Sequence, residues 1–439
     1  MKRNDLLAIG LMTFAMFLGA GNIIFPPFLG LQAGEAFLPA MLGFLITAVG
    51  LPALTLIVLG HLSHSNQLTS ALPKPLAITF WVLLFTAIGP AFGMPRAVTV
   101  AYEMGIKPFV ESDSLMVFSA GFVALTLILA FRPGKLVDYI GKVMTPLLVL
   151  LLLALAASAV IAPLDTLKVA SAGYEMRPVT EGLIQGYMTM DAIAAVGFGW
   201  VIIKAILNKN GGNSRHLSGI TVKVTLIYAV LMSACYLAMA YVGATSASVA
   251  SEASNGGEIL TLYVAEVFGV YGQYLLAAII IMACLTTTVG LTNACAEYYR
   301  ETFSTPFALT ATIVVVLTGV VANFGLNQIL AVSLPVILVL CPVAITLVLT
   351  AMCFSGAKRQ SSHYRQSVYL ASVATTLVFG GLDTLSILGM LPESVQPMLE
   401  RYLPLYSAHA SWLPPCLLVL VVGMVASRTN TASPSAENA

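Results

Sequence analysis

Apolar residues fill this chain in long runs, and polar residues gather between the runs far more than within them. A helix that crosses a bilayer needs about 20 apolar residues in succession. On that criterion the pattern predicts twelve helices, near residues 6–32, 36–60, 76–106, 115–132, 140–162, 181–206, 220–243, 270–299, 306–324, 327–354, 367–390 and 411–427. The expected fold class is therefore an all-α integral membrane protein, with one membrane domain over residues 1–439. The segment 76–106 is the least regular, because Gly89-Pro90 and Met94-Pro95-Arg96 interrupt it.

A sharper interruption lies in the first run, at Phe14-Ala-Met-Phe-Leu-Gly-Ala-Gly-Asn-Ile-Ile-Phe-Pro-Pro27. Glycine lowers the cost of unwinding, and proline removes a backbone donor. The pattern predicts two half-helices meeting at a hinge near the bilayer midplane. Non-helical backbone survives there only when buried in protein or lining a cavity. With the first half ending near Leu18, the carbonyls of Ala15, Met16, Phe17 and Leu18 lack intrahelical donors and form a negative end. Free N–H groups around Ala20, Gly21 and Asn22 form a positive one. A zwitterionic amino acid with a co-bound Na⁺ would use both ends. The simpler alternative is a Gly/Pro kink that lets helices pack closely.

An echo follows later in the chain. Gly10-Leu-Met-Thr13 precedes the Gly19-Ala-Gly21 break, and Gly186-Tyr-Met-Thr189 precedes Val196-Gly-Phe-Gly199, with a two-residue difference in spacing. Paired Gly-interrupted segments at corresponding positions point to a transporter's binding site. Five helices separate the two starts, and that odd number inverts the second unit in the membrane. Chance likeness between glycine-rich helices is the alternative.

Composition excludes several classes. The chain is 59% hydrophobic and 9% charged, against about 25% charged in a soluble domain. Its net charge is +1, and no basic cluster suggests nucleic acid. The six cysteines lie mostly in apolar runs without a Cys-x-x-Cys pair, as packing residues do. The five histidines lack metal-ligand spacing, no nucleophile stands beside a base, and no phosphate-binding loop is present, so no enzyme, resident cofactor or ATPase subunit is expected. A channel would want a continuous polar pore or a ring of like charges, and neither is evident. No cleavable signal peptide is seen at the N-terminus.

Lysine and arginine give the orientation. With the N-terminus in the cytoplasm, fifteen fall inside, four outside (Lys107, Lys168, Arg177 and Arg401), and Arg96 lies within the membrane. Both termini are then cytoplasmic. Residues 245–257 are expected to form a mobile external loop, and the polar tail 428–439 to be disordered.

Further candidate chemistry sits on two other helices. In Ala283-Cys-Leu-Thr-Thr-Thr-Val-Gly290, positions 283, 286 and 287 share one helical face. Two hydroxyls and a carbonyl could complete a sodium cage opposite Ala15 and Leu18, although such a run on its own fits packing better than ligation. Arg96, Asp191 and Glu103 fall at membrane depth, where ionisable groups default to a functional reading. Arg96 with Asp191 or Glu103 is a candidate charge pair, and Asp191 a candidate for proton coupling. The alternative for Glu103 is that it snorkels to the outer surface.

Taken together, Phe17-Leu-Gly-Ala-Gly-Asn-Ile-Ile-Phe-Pro-Pro27, Gly89-Pro-Ala-Phe-Gly-Met-Pro-Arg96, Pro133-Gly-Lys135 and Cys295-Ala-Glu-Tyr-Tyr299 resemble the bacterial BrnQ/BraB/BraZ branched-chain amino acid:cation symporters over nearly the whole chain. That resemblance implies Na⁺-coupled uptake of leucine, isoleucine and valine across the bacterial inner membrane. The family is similar in turn to the LeuT fold: a five-helix repeat (6–162), its inverted copy (181–354) and two further helices (367–427), with helices 1 and 6 unwound. By that likeness Gly19, Ala20, Gly21 and Asn22 meet the substrate carboxylate. Ala15, Leu18, Ala283, Thr286 and Thr287 match the sodium site, which moves the threonines from packing to ligation. Val196-Gly-Phe-Gly199 matches the unwound sixth helix, so Gly197 and Phe198 are expected to line the pocket. For a second LeuT-like sodium site Asn22 matches one ligand, but the threonine of the sixth helix has no clear equal, Ile193 or Ala194 falling there, so one sodium is expected. A proton-coupled carrier and a non-transporting amino acid sensor are the functional alternatives.

Overall fold

The computed structural model describes residues 2–62, 65–111, 114–131, 145–161, 163–213, 216–354, 362–392 and 394–431. The Pro133-Gly-Lys135 motif lies outside them. Every regular element among the described residues is helical. The first two are α1 (Arg3–Phe17) and α2 (Ala20–Ala33), separated by Leu18 and Gly19. A 3₁₀ turn leads into α3 (Phe37–Leu45), and a π turn at Ile46–Gly50 joins α3 to α4 (Leu51–His61). The segment α5 (Lys74–Thr86) meets α6 (Gly93–Gly105) through an irregular turn in which Gly89 leaves helical backbone. Then come α7 (Leu115–Ala130), α8 (Thr145–Ile161), the short α9 (Ala172–Met176), α10 (Pro178–Met188), α11 (Asp191–Lys209) and α12 (Leu217–Ala244). The chain continues through α13 (Ala247–Ala250), α14 (Gly256–Phe303), α15 (Phe307–Ala322), α16 (Leu326–Phe354), α17 (Ser362–Ile387), α18 (Gln396–Tyr402) and α19 (Leu413–Thr431).

Seven helical stretches among the described residues are long and apolar enough to cross a bilayer, or eight when Phe307–Ala322 and Leu326–Ser333, bent by 110°, are taken as one. The expected twelve are not reached on length alone. The breaks leave α1 and α10 as fragments of 15 and 11 residues, and α7 has 16, about 24 Å at 1.5 Å per residue.

Two compact units divide the chain. One comprises residues 1–60 and 85–333, and the other 61–84 with 334–439. In the first, helices approach through glycines that admit no side chain. A Cβ on Gly30 would stand 1.8 Å from the Ala240 carbonyl oxygen, and one on Gly243 1.9 Å from that of Pro27. The same device joins α3 to α10, where a Cβ on Gly182 would stand 1.9 Å from the Ala40 carbonyl oxygen. In the second unit, Thr346 bonds Thr376 at 2.7 Å across α16 and α17, and the Tyr406 hydroxyl bonds Ser386 at 2.8 Å.

Two expectations are corrected here. Residues 245–257 are not an extended loop. They contain α13 and the start of α14, and Ala250, Ala253 and Ile259 are buried against Phe28, Leu31 and Val249. The helix that follows continues to a kink at Gly269, whose φ of 56° is left-handed. Small residues separated by polar ones mimic a loop in the sequence, yet here they fold because the alanines are the packed face. The last helix, expected to end at 427, runs on to Thr431; residues 432–439 lie outside those described.

Candidate functional site

The site is built at the two helix breaks of the first unit. At the first, Leu18 closes α1 by donating its N–H to the Phe14 carbonyl at 2.9 Å. Gly19 is extended, with φ −115° and ψ −165°. Its N–H donates to Asn22 Oδ1 at 2.9 Å, so Asn22 caps its own helix from the third position. The chain then stays helical through Pro26 and Pro27. The prolines therefore do not make the break. They remove the N–H groups that would have bonded the Asn22 and Ile23 carbonyls.

The second break lies elsewhere than the glycines suggest. It falls at Thr189 and Met190, between α10 and α11, and Val196-Gly-Phe-Gly199 is helical. Met190 takes a left-handed backbone, φ 69°, which costs a non-glycine residue on the order of 1–2 kcal/mol. The glycines of the Val196–Gly199 stretch serve packing instead: a Cβ on Gly199 would stand 2.5 Å from Leu59 Cδ1 of α4.

The two breaks meet. Asn22 Nδ2 donates to Asp191 Oδ2 at 2.7 Å. The Tyr236 hydroxyl, from α12, donates to the same oxygen at 2.6 Å and also accepts from Asn22. All three residues are buried. From α6, Arg96 Nη2 donates to the Thr189 carbonyl oxygen at 3.2 Å. Neither expected partner pairs with Arg96: no ion pair joins it to Asp191 or Glu103 among the described residues, and Glu103 is only half-buried. Between these groups lies a cavity of about 40 Å³ bordered by Gly19, Asn22, Arg96, Thr189, Asp191 and Phe198, room for little more than a water or two. Phe198 closes one side, edge-on to Phe17 with ring centroids 4.6 Å apart. Gly197 is buried in α11 but does not border the cavity.

A cluster of neutral oxygens adjoins the cavity. Thr286 Oγ1 lies 2.8 Å from the Ala15 carbonyl oxygen and 2.9 Å from that of Ala283, and its one proton can serve either. Thr287 Oγ1 likewise lies 3.0 Å from the Met16 carbonyl oxygen and 3.2 Å from that of Leu18. Ala15, Leu18, Ala283, Thr286 and Thr287 thus stand together between α1 and α14. Met16, one of the four carbonyls expected at the end of the first half-helix, adds another oxygen. A hydroxyl rotates freely and presents two lone pairs, so both threonines could turn their oxygens toward a hard cation. Thr287 also borders the cavity, and a Cβ on Gly19 would stand 3.1 Å from its Oγ1. No cluster of His, Cys, Asp or Glu suited to a transition metal occurs among the described residues.

Tyr236 escaped the sequence reading altogether, because one tyrosine in an apolar helix carries no pattern. The second break did leave a signal: an acidic residue, Asp191, at the first position of a helix, where the dipole favours it.

Solved transporters share this architecture. MhsT, whose crystal structure holds L-phenylalanine, is 15% identical with a TM-score of 0.56, over 97% of this chain and 98% of that one. Mhp1, a nucleobase-cation-symport-1 family transporter, is 12% identical with a TM-score of 0.60, over 97% and 93%. At such identities the likeness establishes the fold, that of the LeuT-type transporters. Sequence relatives are nearer. The branched-chain amino acid transport system 2 carrier protein of Pseudomonas aeruginosa is 38% identical over 98% of this chain and 97% of its own length. The branched-chain amino acid permease BrnQ of Escherichia coli K12 is 35% identical over 98% and 97%. The profile of the branched-chain amino acid transport protein family matches residues 2–430. The chain therefore belongs to the branched-chain amino acid transport protein family.

Proposed function

We propose that this protein is a sodium-coupled secondary symporter that imports leucine, isoleucine and valine across the bacterial inner membrane by alternating access. The observation that carries this reading is the adjacency of two ligand environments. One is the oxygen cluster of Ala15, Met16, Leu18, Ala283, Thr286 and Thr287; the other is the cavity over the first turn of α2. Broken helices that place carbonyl ends toward a cation and amide ends toward an anion suit a zwitterion travelling with Na⁺. Both relatives named above are called branched-chain amino acid carriers or permeases.

In this scheme Na⁺ binds between α1 and α14 and fixes the end of α1. The substrate carboxylate docks on the N–H groups of Ala20, Gly21 and Asn22, and its aliphatic side chain lies toward Phe198. The cavity must widen to admit it. Apolar walls give modest discrimination among the three substrates, since one methylene is worth about 1–3 kcal/mol. The membrane potential adds about 2.3 kcal/mol per charge per 100 mV to the inward step. The Lys and Arg bias supports twelve spans with both termini in the cytoplasm.

A second reading has its own observation. Asp191 is buried and bonded to Tyr236 and Asn22, so a proton on that carboxyl could be the coupled ion. Uptake of labelled leucine into proteoliposomes, with Na⁺ replaced by choline at constant pH, separates the two. Sodium coupling expects uptake to collapse. Unchanged uptake that follows a pH gradient would replace sodium by the proton.

A further inference from the structure

Arg96 and Asp191 border one small cavity, are only 7% and 4% exposed, and bear opposite charges when both are ionised. Yet no ion pair joins them among the described residues. Each is held by a different wall. The Arg96 guanidinium bonds the Thr189 carbonyl, while its Nε, fully buried, has no partner. A Cβ on Gly21 would stand 2.7 Å from Arg96 Nη2 and 3.3 Å from its Cζ. The guanidinium therefore lies over the first turn of α2, whose amides are the donors a helix start leaves over. Asp191 receives both Tyr236 and Asn22 on Oδ2. A carboxylate offers about four lone-pair positions, so accepting capacity remains.

We propose that Arg96 and Asp191 are the two ends of a zwitterion clamp. Arg96, with the amides of α2, receives the α-carboxylate of the substrate, and Asp191 receives its α-ammonium. The proposal rests on the amino acid transport reading and names the residues that would enforce it. A guanidinium fork matches a carboxylate in two parallel bonds. A zwitterion sets a counter-charge in direct contact with each of the two groups, where no ion pair joins them to each other among the described residues, and it adds no net charge to the site. A side chain at Gly21 would press on the guanidinium and shift it. Both charged ends of the ligand then become obligatory, whatever the side chain.

The test is isothermal titration of the purified full-length protein with leucine, leucinamide (no carboxylate) and 4-methylpentanoate (no ammonium). Wild type is expected to bind leucine on the order of 10²-fold tighter than either analogue. Arg96→Gln should bring leucine down to the leucinamide level and leave leucinamide unchanged. Asp191→Asn should bring leucine down to the 4-methylpentanoate level and leave that ligand unchanged. Arg96→Lys keeps the charge but not the fork, and should shrink the leucine-to-leucinamide ratio part of the way; it carries the test if Arg96→Gln does not fold. Parallel loss for all three ligands, or leucine binding unaltered, overturns the clamp. Wild type that neither binds nor takes up leucine would instead sink the transport reading itself.

Discussion

Replacing Thr287 with valine exchanges one hydroxyl for a methyl group of similar size. That oxygen bridges α14 to the open end of α1, bonding the Met16 carbonyl at 3.0 Å and the Leu18 carbonyl at 3.2 Å. A net protein hydrogen bond is worth about 1 kcal/mol, and stranding a buried acceptor costs about 1–3 kcal/mol. If the same oxygen ligates sodium, the loss should appear in sodium affinity. A change of 1.4 kcal/mol is tenfold in a binding constant. The sodium concentration for half-maximal leucine uptake should therefore rise about tenfold or more, while leucine affinity at saturating sodium changes little. Thr287→Ser keeps the hydroxyl and should stay near wild type. The assay is initial uptake into proteoliposomes across a sodium series with the counter-ion held constant. An unaltered sodium dependence, with the protein folded and active, would refute ligation by this oxygen and return it to packing.

Other expectations follow from the same geometry. Gly30→Ala would drive a Cβ into backbone at 1.8 Å and should destabilise by about 1–3 kcal/mol or more. Gly121→Ala in α7, with nothing within 4 Å, should be neutral or stabilise by up to about 1 kcal/mol; melting in detergent compares the two. Tyr236→Phe removes the hydroxyl that links Asn22 to Asp191, and should raise the leucine concentration for half-maximal uptake about tenfold without unfolding the protein. His409, in the turn before α19, has its imidazole pushed below its usual value by burial. The folded state thus disfavours the charged form, so this residue should erode stability as pH falls through the ordinary histidine range. His409→Gln should flatten that part of the melting profile.

The first break was written in the sequence because Gly19 and Gly21 answer local demands. A Cβ on Gly19 would stand 3.1 Å from Thr287 Oγ1 and one on Gly21 2.7 Å from Arg96 Nη2, so a side chain at either position would make its neighbour give way. The second break was misplaced because the same residue type had a different cause. Gly199 admits Leu59 of α4, while the unwinding occurs at Met190, which is held left-handed by its surroundings rather than by its own preference. Glycine marks close approach as readily as it marks a bend. The run of three threonines gave the face shared by Thr286 and Thr287, since helical spacing alone sets it. The Tyr236 hydroxyl could not be read in this way, because it reaches Asn22 across 214 positions of chain.

In the proposed cycle a branched-chain amino acid and sodium cross together. Dual-label flux in one set of proteoliposomes tests it most directly, with radiolabelled sodium and leucine followed at once. Leucine addition should stimulate sodium entry in a fixed ratio, with both fluxes lowered in parallel by Thr287→Val at limiting sodium. Leucine entry with no accompanying sodium flux would contradict it.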